Sequence, residues 1–367
     1  MVNIIPITAT ERAVFMARNS KIAIALAAVV FLIMLGIGGF GLYQKKNHIK
    51  EMDALWQKEH SADSQFDQVN QEDALFSGNE VTWKGKKYRR NTYVKAILFL
   101  GIDRTGTLQS TQVAGSGGQS DAVILIAQDT ARDTVKFLMI PRDTITDIIL
   151  TDLAGNELAW GSQHINLAFA YGDGREKSCS YASRAVSKMF SGLPIDGCLA
   201  VGMDLLPKIN DSVGGVTVPI KEQDLVERLK KENPGIFIGD TVLLKGKEAE
   251  TYLRYRDTTK NQTALLRQER QKQYIEAFAL AVKQQAKKEN GFTERIWKMT
   301  EPYLVTDLKK DQLLDMLMAF VKSSQKFSDE DMLTLSGTGV ETEMFDEYHM
   351  DRDAAYEQVL TLFFREE

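Results

Sequence analysis

Asp103 and Asp121 each stand at the edge of an apolar run, LFLGID and QSDAVILIAQD, and Arg142 and Asp143 close a third, TVKFLMIPRD. Charges at the ends of core strands are costly to desolvate without a partner, a metal or a ligand. Two acids at the ends of adjacent strands fit magnesium, which takes one or two carboxylates and completes its shell with phosphate oxygens and water. The other dense group of charges is RYRDTTKNQTALLRQERQ. There Arg254 and Arg256 flank a polar loop, and Arg267, Arg270 and Gln271 fall at i, i+3 and i+4 on one helix face. Guanidinium groups pair bidentately with phosphate oxygens, so the two sets can converge on one anion. Each feature has a structural alternative. A strand-end aspartate can cap a turn, Asp103 can pair with Arg104, and the basic helix face can be solvated and paired with Glu269 and Glu276.

The elements that must position these groups are legible in outline. Ala96–Thr144 holds three Ile-, Val-, Leu- and Phe-rich runs bounded by charged residues or Gly, the pattern of buried strands. Glu80–Lys87 reads as a short hairpin turning at Lys84-Gly85, and the main domain starts there. ITDIILTDLAGNELAWGS is further extended chain with a turn at Gly155-Asn156. Helices are expected over His164–Tyr171, Ser180–Phe190, Asp204–Val213, Gly246–Arg254, Ala264–Lys288, Asp311–Ser323 and Asp351–Phe364. Strands are expected at CLAVGM and Val216–Ile220. Strands alternating with helices imply an α/β fold, a sheet with helices on both faces.

Before this domain lies Ile22–Tyr43, a run without a charge. As a helix it is about 33 Å long at ~1.5 Å per residue, enough for a bilayer core, and it shows no polar face. It exceeds the ~7–15 apolar residues of a cleavable signal and lacks a clear A-x-A site, so it reads as a retained signal anchor. Lys and Arg on its two sides are nearly balanced and do not set the orientation. The expected organisation is 1–21 as an N-terminal segment, 22–43 as the span, 44–79 as a polar stalk and 80–367 as the α/β domain. Net charge is −5, which speaks against a cationic nucleic-acid surface. The two cysteines, Cys179 and Cys198, lack metal-ligand spacing; a disulfide and simple packing both remain open.

At these residues the chain resembles the LytR-CpsA-Psr family of cell-envelope proteins. The resemblance rests on LFLGIDRTG, QSDAVILIAQD, MIPRDT, HINLAFAYG, LPIDGCLAVGMDLLPKINDSVGGVTV and GKEAETYLRYRDTTKNQTALLRQERQKQYI, in the family's order, and covers about Lys84 to the C-terminus. The single span and the ending DAAYEQVLTLFF also fit. The resemblance implies a central mixed β-sheet flanked by helices, with an apolar pocket for a polyprenyl chain. It implies a cytoplasmic N-terminus and an extracellular domain. The implied reaction is magnesium-dependent transfer of a glycopolymer, of teichoic acid or capsular type, from a polyprenyl-diphosphate carrier to peptidoglycan.

By matching position, Asp103 and Asp121 would be the acids at the magnesium, and with Arg256 the catalytic set. Arg254, Arg256, Arg267 and Gln271 would hold the diphosphate, with Arg142 and Arg270 supporting that basic mouth. The sequence departs from the family pattern at two positions. Gln119 stands where an RSD motif carries Arg, leaving a neutral contact unless Arg104 or Lys260 substitutes. Ala264 stands where an Asp precedes the helix arginine, and Asp257 is the candidate replacement. The alternative reading is a non-catalytic, membrane-anchored scaffold or carrier that binds polyprenyl diphosphate. Retention of both acids favours the enzyme. A transcriptional role would need a cytoplasmic DNA-binding element, and the ~21 residues before the span are too short for a helix-turn-helix domain.

Overall fold

Lys84 (φ 47°) and Gly85 (φ 81°) are both left-handed, the two-residue turn whose twist suits a tight hairpin. They join strands Glu80–Trp83 and Lys86–Arg90 in the expected position. The C-terminal strand Phe364–Glu366 adds to the other side of Lys86–Arg90, so the last residues close onto the first of the domain. The computed structural model describes residues 74–367 apart from 112, 114, 256–262, 310–311, 314–328 and 343–345. The expected span at 22–43, the stalk up to residue 73 and nearly all of the helix expected over Asp311–Ser323 lie outside the described residues. Among the described residues, no helix is long and apolar enough to cross a membrane.

The three apolar runs form the centre of a six-stranded sheet as an antiparallel meander, Val94–Ile102, Ser120–Asp129 and Thr134–Ile140. Gly197–Gly202 lies parallel beside Val94–Ile102, and Met332–Thr334 lies parallel beside Thr134–Ile140. Leu304–Thr306 completes one edge, antiparallel to Gly197–Gly202. The sheet is therefore mixed.

Side chains alternate between the two faces of each strand, and both faces are buried. Ile97, Phe99, Ile124, Ile126 and Phe137 join one core, beneath helices Leu205–Ser212, Lys247–Arg254, Thr263–Lys288 and Phe292–Thr300. Leu98, Leu100, Val123, Leu125 and Leu138 join a second core, with helices Glu176–Met189 and Arg352–Phe363. Fully burying a side chain of this size contributes about 1.5–3 kcal/mol, so the double-sided burial is what holds the meander rigid.

Two local expectations change, and one question the sequence left open is answered. His164–Tyr171 is not a helix; only Ile165–Leu167 forms a 3-10 turn, followed by further turns, and all eight residues but His164 are buried. The segment is too short to sustain helix once its backbone is drawn into contacts with the loop above it, such as Gly115 N–H on Ala170 O at 3.0 Å. The helix expected from Ser180 starts at Glu176, because the Asp173 carboxylate accepts from the N–H groups of Arg175 (2.8 Å) and Ser178 (3.2 Å) and sets an earlier start. Cys179 and Cys198 are free, fully buried thiols packed in the second core rather than a disulfide. A hydrogen bond to Cys198, together with burial, pushes the Cys179 thiol well up.

Candidate functional site

The chain leaves the sheet at Ile102 and returns at Ser120, so the antiparallel pairing brings Asp103 and Asp121 to the same sheet edge. The two ends are clasped: Asp103 N–H donates to Gln119 O at 3.0 Å, and Gln119 N–H donates to Asp103 Oδ1 at 2.7 Å. Register then slips. Ile102 pairs with Ser120 but Gly101 pairs with Ala122, leaving Asp121 as the extra residue of a β-bulge. A bulge of this kind bends the strand and re-aims the inserted side chain.

The loop between the acids is held rather than loose. Gly106 N–H donates to Asp204 Oδ2 at 2.6 Å, Thr111 N–H to Asp173 O at 2.8 Å, and Gly117 N–H to Ala170 O at 3.3 Å. Gly118 has φ +96°, and a Cβ there would fall 2.6 Å from Arg104 Cγ and 2.7 Å from Ile102 Cγ2. Only glycine fits that approach.

Arg142 reaches the acids from the end of the third strand. Thr144 bonds back to Pro141 O through its N–H (3.0 Å) and its hydroxyl (2.6 Å), a tight turn that orients Arg142. Arg142 Nη1 donates to Asp121 Oδ1 at 2.5 Å, and its Nε lies 3.4 Å from Asp143 Oδ1. Asp121 Oδ2 is buried without a hydrogen-bond partner. Burial pushes the Asp121 carboxyl up, and the neighbouring Asp103 carboxylate adds to this; Arg142 and Arg254 pull the other way without cancelling it. Burial draws the Arg142 guanidinium down, but the carboxylates of Asp121, Asp143 and Asp103 outweigh it and hold its pKa above the ordinary value.

The helix Lys247–Arg254 ends with Arg254, which bonds to Glu250 one turn back and is close enough to act on Asp121 electrostatically. Arg270 is fully engaged behind it. Its Nε donates to Tyr252 O at 2.9 Å, its Nη2 to Tyr255 O and its Nη1 to Glu222 Oε1. At 5% exposure Arg270 pins the chain on both sides of Arg254, a strut rather than an open member of the mouth. The position of Arg104 also differs from a replacement cation at Gln119: its Nη1 donates to Gln109 O at 3.1 Å, within the loop.

The structure thus brings together Asp103, Asp121, Arg142 and Arg254. Arg256, Asp257 and Lys260 lie outside the described residues. Ala264, Arg267 and Gln271 are placed by their backbone on the helix Thr263–Lys288, with side chains outside the described set. One residue of this neighbourhood was not singled out from sequence. Asn166, 5% exposed, donates from its N–H to Arg142 O at 3.2 Å and from Nδ2 to Gln119 Oε1 at 3.3 Å. The signal for it was a polar residue in the otherwise apolar HINLAFAY.

The donor set fits a hard cation in its chemistry. Asp121 offers a buried, unpartnered carboxylate oxygen beside a second carboxylate, and two carboxylates are what magnesium ordinarily takes from protein. Among the described residues no cluster of three or more His, Cys, Asp or Glu forms a self-sufficient metal cage.

A mixed α/β domain with an acid–arginine edge is the class of protein defined by these features. The model of the LytR_cpsA_psr family matches residues 42–362, and the chain belongs to that family. It is 28% identical over 256 residues to the polyisoprenyl-teichoic acid–peptidoglycan teichoic acid transferase TagV of Bacillus subtilis (strain 168), covering 69% of this chain and 55% of TagV. It is 32% identical over 184 residues to TagU of Bacillus cereus, a transferase of the same name, covering 50% of each. The chain thus spans about half the length of the curated relatives it matches. Among solved structures, TagT bound to LI-WTA superposes with TM-score 0.51 at 21% identity, over 78% of this chain and 96% of that one, a likeness of fold.

Proposed function

We propose that this protein transfers a phosphate-linked glycopolymer from a polyprenyl-diphosphate carrier to a hydroxyl of peptidoglycan, at the outer face of the cell membrane. The observation that carries the reading is the buried Asp121 carboxylate, with one oxygen on Arg142 and the other unpartnered, in a member of a family whose relatives are named as such transferases. Residues 22–43 serve as a retained signal anchor, with 1–21 in the cytoplasm and the domain from 80 onward outside. Teichoic acid is the polymer named for the relatives; a capsular-type polymer uses the same chemistry.

Asp103 and Asp121 would hold magnesium, which when bound offsets the negative charge of the diphosphate. Arg142, Arg254, Arg256, Arg267 and Gln271 bind the phosphate oxygens and stabilise charge that develops on them in the transition state. Arg270 keeps Arg254 in place through the carbonyls of Tyr252 and Tyr255. The acceptor hydroxyl attacks the phosphorus attached to the sugar. A new phosphorus–oxygen bond forms, the bond to the bridging oxygen breaks, and polyprenyl phosphate leaves with the bonding electrons. A carboxylate, Asp103 or Asp121, takes the hydroxyl proton.

The test is to incubate the full chain in detergent micelles with a polyprenyl-diphosphate oligosaccharide, peptidoglycan strands and magnesium. Saccharide joined to peptidoglycan by a phosphodiester, with release of polyprenyl phosphate and loss on chelation, is expected. Tight binding of the lipid without turnover across several donor saccharides contradicts the enzyme and favours a carrier.

A further inference from the structure

We infer that the side-chain carbonyl of Asn166 is an additional oxygen ligand for a divalent cation, which it shares with the Asp121 carboxylate. The inference rests on the reading that the acids bind a cation and adds a ligand to it.

Asn166 Oδ1 is buried and without a hydrogen-bond partner, as is Asp121 Oδ2. Both tethers of Asn166 lead to Asp121. Its N–H is on Arg142 O (3.2 Å), and Arg142 holds Asp121 Oδ1. Its Nδ2 is on the side chain of Gln119, two residues before Asp121 (3.3 Å). The bond to Gln119 orients the amide and leaves the oxygen as the free end. Buried acceptors are almost always satisfied in folded proteins, so two orphaned oxygens tied into one neighbourhood point to a missing electropositive partner. Arg142, the cation that holds Asp121, is already engaged on Asp121 and Asp143. An amide carbonyl is a hard oxygen donor of the kind that joins carboxylates around Mg²⁺, Mn²⁺ and Ca²⁺. It adds a ligand without adding charge, which suits a site whose substrate brings its own negative phosphates.

The experiment is a titration of the full chain in detergent micelles with Mn²⁺ alone, read by electron paramagnetic resonance. Wild type is compared with Asn166→Ala, Asn166→Asp and Asp121→Asn, with unfolding temperatures measured in chelator to establish that each variant is folded. Asn166→Ala is expected to weaken Mn²⁺ binding about tenfold or more, within the range known for loss of groups that tune a metal site. Asn166→Asp keeps an oxygen but loses the donor to Gln119, and is expected to bind Mn²⁺ at least as tightly as wild type. Equal weakening by Asp and Ala overturns the inference and leaves Asn166 as a hydrogen-bonding brace for Gln119. Wild-type affinity in Asn166→Ala, with loss in Asp121→Asn, overturns it too while the two-acid site stands. A wild-type chain that binds no Mn²⁺ removes the cation reading itself, and this inference with it.

Discussion

At one end of the strand Ser120–Asp129, Asp129 spends both carboxylate oxygens. Oδ1 accepts from the N–H groups of Ala131 (2.9 Å) and Arg132 (3.0 Å), and Oδ2 accepts from Arg132 Nη1 at 2.7 Å. Burial pushes this carboxyl up, but the Arg132 side chain and the two amides outweigh it and hold it below the usual range. At the other end Asp121 keeps one oxygen on Arg142 and leaves the other buried and unpartnered, and its carboxyl is pushed up. Residue type, strand and an arginine partner are the same. What differs is completeness. A carboxylate whose acceptors are filled locally is a turn cap, whereas one buried with an acceptor left over is held ready for something the described residues do not supply.

This contrast orders the effects of substitution. Arg142→Ala leaves a buried carboxylate uncompensated, and breaking such a pair costs about 3–5 kcal/mol. Thermal or denaturant unfolding should show that loss, and Arg142→Ala paired with Asp121→Asn should recover part of it by removing the stranded charge. Asp129→Ala should cost about 1–3 kcal/mol through the lost amide hydrogen bonds, with catalytic turnover retained in the folded fraction. The Arg132 ion pair itself adds little, because that arginine is 64% exposed. The smallest effect is on pH dependence. The Asp129 pKa is depressed in the folded state, so its stabilisation is present above the unfolded value of about 3.9 and is lost as pH falls through the folded value. Asp129→Asn should flatten that acid limb of the unfolding curve. An unchanged limb would mean that Asp129 is not the satisfied acid described.

Much of this could be read from the chain. Buried strands announce themselves as apolar runs between charges, and Lys84-Gly85 states its turn through the one residue type that prefers φ > 0. The acids could be placed at strand ends, and the antiparallel pairing then put them at one edge. Three features were hidden for physical reasons. The bulge at Asp121 depends on register, which pairs residues across the sheet and leaves no local mark. Arg270 shares a helix face with Arg267 and Gln271 in the sequence pattern, but where its guanidinium goes is decided by Glu222 and by the carbonyls of Tyr252 and Tyr255, some 15 to 48 residues away. Asn166 reads as one polar residue in an apolar turn; its meaning lies in an unfilled acceptor, which only a three-dimensional account of donors exposes.

The central claim is that the unfilled acid, and not the filled one, carries the chemistry. The measurement that tests it most directly is phosphodiester formation by the full chain, comparing wild type, Asp121→Asn and Asp129→Asn under conditions where all three are folded. Product lost by at least a hundredfold in Asp121→Asn and kept near wild type in Asp129→Asn is the predicted result. Near-wild-type turnover in Asp121→Asn, or equal loss in both variants, would contradict it.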